Sequence, residues 1–489
     1  MSKILLVLAN TFSEGMIHIG TSMLISVLKH KHNIKLFDTT FYPKDFTKLE
    51  LRKWREKTLE YKPLEEEPYE FNTTNLFEDF QKVYEEFKPD LIMVSVTSLD
   101  YELGLEILRD IKDTPVLVGG IHAIVAPEDL IQHPKVDYVF RGEAEEVIEE
   151  LVEKIINKEP LKDFEGLWYK KDGKIYRNDG LVIVDDLEKL PMPDWSYFDK
   201  RHFNRPFKGK IYKFGTFELS RGCPYHCTYC INHIIQKEVG KKNQYREKSV
   251  DKCINEIKIL AKKYDLQMMK FWDENFLGFK KDTNEFLERY KQEIKLPFMI
   301  QTRPEGVSEE TAKLLKESNC VNLSVGVESG SERIRKDVLK RYQSNEQIIK
   351  GFDNCNKYGL RTTAFIIMGL PTETRENIFE SIELMKRCSP SVLNTFFLYP
   401  FKGTEIRQWC IDNKWLDPNQ HQEHVDMHFG YILNNPNFTR EDLLQLRKVF
   451  SMYVFSDKKY WPIIERMEKG DDLLYDFAND MFKKVIHGE

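Results

Sequence analysis

A chain of 489 residues is long enough for two or three domains of ordinary size. With 41% hydrophobic and 31% charged residues it reads as globular, and a net charge of −6 excludes a general nucleic-acid binder, whose surface would be basic. No apolar run approaches the ~20 residues of a membrane span, and MSKILLVLAN turns polar too early for a signal peptide, so it reads as a first strand with a cytoplasmic address.

Residues 1–164 alternate strand and helix. Short apolar strands are expected at 4–8, 34–37, 91–96, 116–118 and 138–140, with helices near 20–31, 76–87, 103–111 and 145–158. Strands that are apolar throughout are buried on both faces, so the predicted fold is α/β, a doubly wound, Rossmann-like parallel sheet. Ligands of such sheets lie beyond the carboxyl ends of the strands. The residues there are Thr11 to Ser13, Thr97 to Asp100, Gly119 to His122, and Arg141 to Glu143. Gly119 and Gly120 permit close backbone approach. The charged stretch 48–67 reads as a solvated helical insertion.

Residues 165–207 are rich in turn formers (KKDGK, NDG, PMPDW) and read as a linker with a small hairpin around Asp172-Gly173. A second alternating series fills 208–410. Its strands are expected at 214–220, 268–272, 298–301, 322–327, 362–368 and 392–398, separated by helices such as 249–263, 284–292, 309–316 and 375–386. Six successive strand–helix units point to a (β/α)6 partial barrel of the TIM type, with functional groups at the carboxyl ends of its strands. Residues 411–489 read as a helical C-terminal extension whose aromatics fill a core rather than line a pocket.

None of the eight cysteines precedes Cys223 or follows Cys410. Cys253, Cys320, Cys355, Cys388 and Cys410 are scattered singly and read as small buried hydrophobes. The other three, in SRGCPYHCTYC, form a C-x3-C-x2-C motif directly after the first barrel strand. Structural zinc and most iron–sulfur clusters take four protein ligands, and here Cys223, Cys227 and Cys230 are three. His226 and His233 keep zinc open by count, although the second ligand pair of zinc modules is missing. The other reading is a four-iron cluster on three thiolates, with one iron open to a small molecule.

With Tyr229 just before its last cysteine, the motif resembles the signature of the radical S-adenosylmethionine (SAM) superfamily. The resemblance implies a [4Fe-4S] cluster whose open iron is chelated by the methionine end of SAM. Reductive cleavage then releases a 5′-deoxyadenosyl radical that abstracts hydrogen from a substrate. The cofactor carries the hard chemistry and the protein positions it. Other strand ends extend the likeness. In FWDENF, Asp273 and Glu274 resemble the acidic group that receives the methionine ammonium, although the usual Gly-Gly-Glu is absent. Glu328, in VGVESGSE, takes the place of the ribose ligand. Gln301 ends the third strand facing the cofactor, and Met368, Gly369 and Leu370 resemble the stretch packed against adenine.

The first domain has its own resemblance. VSVTSLD, LVGGIHA and DYVFRGEAE are similar to the cobalamin-binding (B12-binding) domain often fused ahead of a radical SAM barrel, which implies corrin contacts from Thr97, Ser98, Gly119, Gly120, His122, Gly142 and Glu143. The D-x-H-x-x-G motif of the better-known cobalamin methyltransferases is not reproduced. In EGMIHIG, His18 has no acid two residues before it and Gly20 follows too soon, so His18 is not expected to ligate cobalt. The family implies a cobalamin-dependent radical SAM enzyme that methylates an unactivated carbon or phosphorus of a small-molecule substrate. One SAM yields the radical, methylcobalamin donates the methyl group, a second SAM restores it, and a reductant such as flavodoxin or ferredoxin supplies electrons. Two alternatives stay open: non-methylating radical chemistry such as cyclisation, oxidation or rearrangement, and a non-catalytic corrinoid or cluster sensor.

Overall fold

The computed structural model of the chain describes residues 1–10, 15–42, 64, 67–240, 245–278, 283–418 and 430–487. Thr11 to Ser13 and, apart from Leu64 and Glu67, the charged stretch 48–67 lie outside the described residues. Contacts divide the chain into two compact units. The first takes its described residues from Met1–Lys48, Leu64–Pro224 and Ile231–Gln267, the second from Tyr225–Cys230 and Met268–Glu489.

In the first unit, β1 (Lys3–Leu8), β2 (Asn33–Asp38), β3 (Leu91–Ser95), β4 (Val116–Gly119) and β5 (Tyr138–Phe140) are the five expected strands. They run parallel in the order β2-β1-β3-β4-β5. Ile4, Leu5, Leu91, Ile92, Val116, Val118 and Val139 are fully buried, which is why these runs carry no polar alternation. Helices Ile19–Leu28, Leu76–Phe87 and Ile148–Ile156 form close to their expected places. The strand order reverses between β1 and β3, and a doubly wound sheet binds ligands beyond the carboxyl ends at such a switch.

The turn-rich stretch after this domain does more than link. β6 (Leu167–Lys171) and β7 (Lys174–Arg177) form the hairpin expected at Asp172-Gly173, and β6 pairs antiparallel with β5. The hairpin thus extends the same sheet to seven strands. Asp172 and Gly173 have φ of +51° and +71°, the left-handed pair a type I′ turn requires. The unit also holds the hairpin of β8 (Asn204–Phe207) and β9 (Lys210–Phe217), where β9 is the first expected barrel strand, and the short pair β10 (Ser220–Arg221) and β11 (Arg246–Glu247).

The second unit is a parallel half-barrel sheet of β12 (Met268–Phe271), β13 (Phe298–Thr302), β14 (Cys320–Glu328), β15 (Thr362–Met368) and β16 (Val392–Phe397), each strand paired with the next. Helices Thr283–Glu293, Glu309–Glu317, Asn345–Lys357 and Arg375–Cys388 make the crossovers. Helix Arg440–Phe455 packs on Arg375–Cys388 and buries Leu443, Val449, Phe450 and Tyr453, so these C-terminal side chains are core as expected. The five scattered cysteines are buried free thiols. Burial pushes Cys355, Cys388 and Cys410 up to about 12, which makes them unreactive packing groups.

Candidate cofactor sites

The carboxyl ends of β13 and β14 gather charge around Cys227. Glu328 closes β14 at a register shift, with φ of +70°. A left-handed glutamate is uncommon and marks a position held by its surroundings. Its Oε1 accepts the Tyr229 hydroxyl at 3.0 Å and lies 3.7 Å from the Arg341 guanidinium, which also donates to the Tyr229 oxygen at 3.2 Å. Burial raises the Glu328 carboxyl against the pull of Arg341 and Tyr229. Burial, then the neighbouring Glu328, holds the Tyr229 hydroxyl well above its ordinary range. Tyr229 is therefore a neutral donor at neutral pH.

Cys227 is buried, and its Sγ accepts from both Arg303 and Arg341 at 3.8 Å. Arg303 is fixed on every side. It donates to Glu305 at 2.6 Å and Gln343 at 2.8 Å, and it stacks 3.6 Å above the Tyr225 ring. Arg341 is anchored by the Gly326 carbonyl. Among the described residues, buried Arg341 Nε and Gln343 Nε2 have no hydrogen-bond partner. Donors that converge on a thiol, with more donors unfilled beside it, suit a group rich in anionic sulfur. An iron–sulfur cluster fits these residues. Cys230 follows in the turn, its N–H donating to the Cys227 carbonyl at 3.1 Å; Cys223 belongs to the first unit and is partly exposed.

The two acidic candidates separate by burial. Asp273 is 1% exposed and its carbonyl accepts Gln301 Nε2 at 3.0 Å, whereas Glu274 is exposed. At the end of β15, Met368 and Leu370 are fully buried and Gly369 has φ of +77°. A Cβ on Gly369 would sit 2.4 Å from the Tyr431 ring. The Gly369 and Leu370 N–H groups both donate to buried Glu373, and Tyr431 donates to the Gly369 carbonyl. This loop therefore offers a rigid packing surface, with its backbone donors already spent.

In the first unit, Thr97 donates to Asp100 and accepts the Leu99 N–H, shaping the turn after β3. Ser98 Oγ is 3.1 Å from His122 Nδ1, and His122 Nε2 is 3.3 Å from Asp129. The His122 ring is 1% exposed and stacks 4.0 Å from Tyr101. Its Nδ1 is engaged by Ser98, and its Nε2 faces the Asp129 carboxylate. Gly120, at φ +97°, sits where a Cβ would meet Val96 O at 2.5 Å, so its small size serves the β3–β4 packing. Gly119 differs, since among the described residues its Cβ would meet nothing nearer than 4.0 Å, a bare backbone floor suited to a flat macrocycle. Gly142 packs against Val182, and Glu143 is held by Arg221 at 3.2 Å and Arg246 at 2.7 Å. Burial alone would raise Glu143; the Arg246 hydrogen bond and both guanidinium charges outweigh it and hold the carboxyl below its usual range. His18 caps helix Ile19–Leu28, its Nδ1 accepting the Thr21 N–H at 3.1 Å.

Sequence reasoning missed Arg303, Arg341, Gln343, Glu373 and Tyr431. Arg303 directly follows β13, so the strand-end rule could have found it. Arg341 lies beyond an irregular wide-turn helix, Ile334–Val338, and no periodicity marks it.

The half-barrel and its cysteine loop define a SAM-cleaving radical enzyme, and the doubly wound sheet defines a nucleotide- or corrin-binding class of domain. Comparison with known proteins specifies both. Residues 217–385 match the radical SAM superfamily, and residues 59–152 match the B12 binding domain. An uncharacterised methyltransferase of Pyrococcus horikoshii is 28% identical over 391 residues, 78% of this chain and 82% of that protein. The cytidylyl-2-hydroxyethylphosphonate methyltransferase of Streptomyces wedmorensis is 24% identical over 418 residues, 76% of each chain. Among solved structures, the radical SAM methyltransferase TsrM of Kitasatospora setae, with cobalamin and a [4Fe-4S] cluster bound, superposes with a TM-score of 0.63 at 17% identity, covering 84% of this chain and 75% of that one. The chain thus carries a B12-binding domain and a radical SAM domain, whose cofactors are cobalamin, a [4Fe-4S] cluster and SAM.

Proposed function

We propose that this enzyme methylates an unactivated carbon or phosphorus centre of a small molecule. The observation that carries the reading is the presence, in one chain, of the Cys227 cage with its unfilled donors and of a B12-binding sheet with an open glycine floor at Gly119. Two relatives named as methyltransferases, each matched over about three quarters of this chain, support it.

When bound, the cluster supplies the electron that cleaves SAM and cobalamin supplies methyl carriage. The chain's own residues do the rest. Cys223, Cys227 and Cys230 hold the iron. Asp273, being buried, receives the methionine ammonium in preference to exposed Glu274. Glu328 takes the ribose hydroxyls, its carboxyl group already held in place by the Tyr229 hydroxyl and Arg341. Gln301 holds the Asp273 backbone, and buried Met368, Gly369 and Leu370, locked by Glu373 and Tyr431, brace the strand end beside which adenine is expected. Thr97, Ser98, Gly119, Gly120 and Gly142 shape the corrin crevice, with His122 and Glu143 bracing it from within. A flavodoxin or ferredoxin serves as reductant.

The test uses anaerobically reconstituted enzyme with SAM, dithionite and hydroxocobalamin. Methyl transfer is expected to yield S-adenosylhomocysteine that depends on the added corrinoid, together with 5′-deoxyadenosine. Deoxyadenosine without any corrinoid-dependent S-adenosylhomocysteine would replace methylation by another radical reaction. Cys227→Ala is expected to abolish deoxyadenosine formation and to leave corrinoid binding nearly intact.

A further inference from the structure

Arg303 and Arg341 have no assigned role, yet both are more than nine-tenths buried and both direct an N–H at the same sulfur. Neither is free to move. Glu305, Gln343 and the Tyr225 ring clamp Arg303, while Gly326 O and Tyr229 clamp Arg341. Stripping two guanidinium groups of water to surround a neutral cysteine would be costly, because burying cations is repaid only by nearby negative charge. Glu305 and Glu328 answer part of that charge. A thiolate answers more. The unfilled Arg341 Nε and Gln343 Nε2 mark the same neighbourhood as short of acceptors.

We propose that Arg303 and Arg341 are positioning residues that set the reduction potential of the cluster by donating to the Cys227 thiolate. The inference rests on Cys227 being a cluster ligand, as argued above. Reduction adds one electron to the cluster and no proton need move. Fixed positive charge and N–H donors at a ligand sulfur stabilise the more negative, reduced state, so the pair raises the potential. Raising it eases delivery of the first electron from a biological donor, at the expense of driving force for cleaving SAM.

Potentiometry of the reconstituted holoenzyme, followed by electron paramagnetic resonance without SAM, tests this. Iron is counted on every sample. Arg303→Met and Arg341→Met keep side-chain bulk and remove charge and donors. Each is expected to retain the iron content of the unaltered enzyme and to lower the reduced-to-oxidised ratio at the unaltered midpoint at least threefold. For a one-electron couple at 59 mV per tenfold, that is about 28 mV more negative. Arg303→Lys and Arg341→Lys, which keep the charge but not the fork, should fall between. An unchanged midpoint in both iron-replete Met variants overturns the proposal. So does loss of iron in all four variants, which would make the arginines holders of the loop. Cys227→Ala serves as the separate control: if it still carries four irons, the cluster assignment itself is wrong.

Discussion

Asp273 and Glu274 are neighbours of like charge, and their environments decide between them. Asp273 is buried at the strand end and Glu274 is exposed, and the proposed ammonium contact is assigned to the buried one. Asp273→Asn is expected to slow deoxyadenosine formation at least tenfold, about 1.4 kcal/mol of transition-state stabilisation, while Glu274→Gln stays within about twofold of the unaltered enzyme. Equal effects would remove the distinction. The hydrogen bonding of His18 argues for one tautomer. A ring whose Nδ1 accepts the Thr21 N–H carries its proton on Nε2 when neutral, and burial lowers its pKa, so the neutral form prevails. An Nε2–H has no lone pair for cobalt. His18→Ala should cost about 1 kcal/mol in denaturant titrations, the ordinary worth of a helix cap. The cobalt(II) resonance of the corrinoid-loaded protein should be unchanged; loss of a nitrogen splitting would show that His18 binds the metal.

Elements add what single residues cannot. The loop after β15 is locked by Glu373, whose carboxyl takes two backbone N–H groups and is pushed up to about 8 by burial. A folded-state value above the ordinary carboxylate range means that folding favours the protonated form. The stability this contributes is complete below the unfolded value, near pH 4.5, and is lost as pH rises through about 8. Denaturation midpoints are therefore expected to fall as pH rises from about 4.5 to about 8, and Glu373→Gln, neutral throughout, should flatten that slope. A slope that survives the substitution would assign it to other groups. The hairpin at Asp172-Gly173 shows the converse case. Its turn was legible because only a few dipeptides tolerate two consecutive left-handed residues. Its place on the edge of the first sheet was not legible, because pairing with β5 depends on an open edge that no local pattern records.

At the scale of the molecule, the boundary between the two alternating series is crossed by charge within the first unit. Glu143, from the strand-end RGE, binds Arg221 and Arg246, which lie beyond the turn-rich stretch, and Arg221 also binds Glu145 and Glu218. Without Glu143, Arg221 keeps Glu145 and Glu218, whereas buried Arg246 loses the carboxylate it binds. Glu143→Gln is expected to cost about 3 kcal/mol, seen as a lower thermal midpoint with the corrinoid absent. An unshifted midpoint would make Glu143 available for the corrin instead. Among the described residues no helix is long and apolar enough to cross a membrane.

Much of this protein is written locally. Strands buried on both faces must be apolar, so β1 and β3 to β5 announced themselves, whereas β13 to β16 bury alternate residues and showed through their repeated alternation with helices. Chemistry placed at parallel-strand ends put Cys227, Asp273 and Glu328 in sequence order. Ligand spacing on a short loop is likewise a local constraint, hence the cysteine motif. Other features depend on which distant side chains share one low-dielectric volume. Burial parted Asp273 from Glu274, turned His122 inward, spent the Gly369 backbone on Glu373, and brought Arg341 from beyond an irregular helix onto the Cys227 sulfur. Electrostatic strength in a protein follows desolvation and distance, and both are properties of the packed chain.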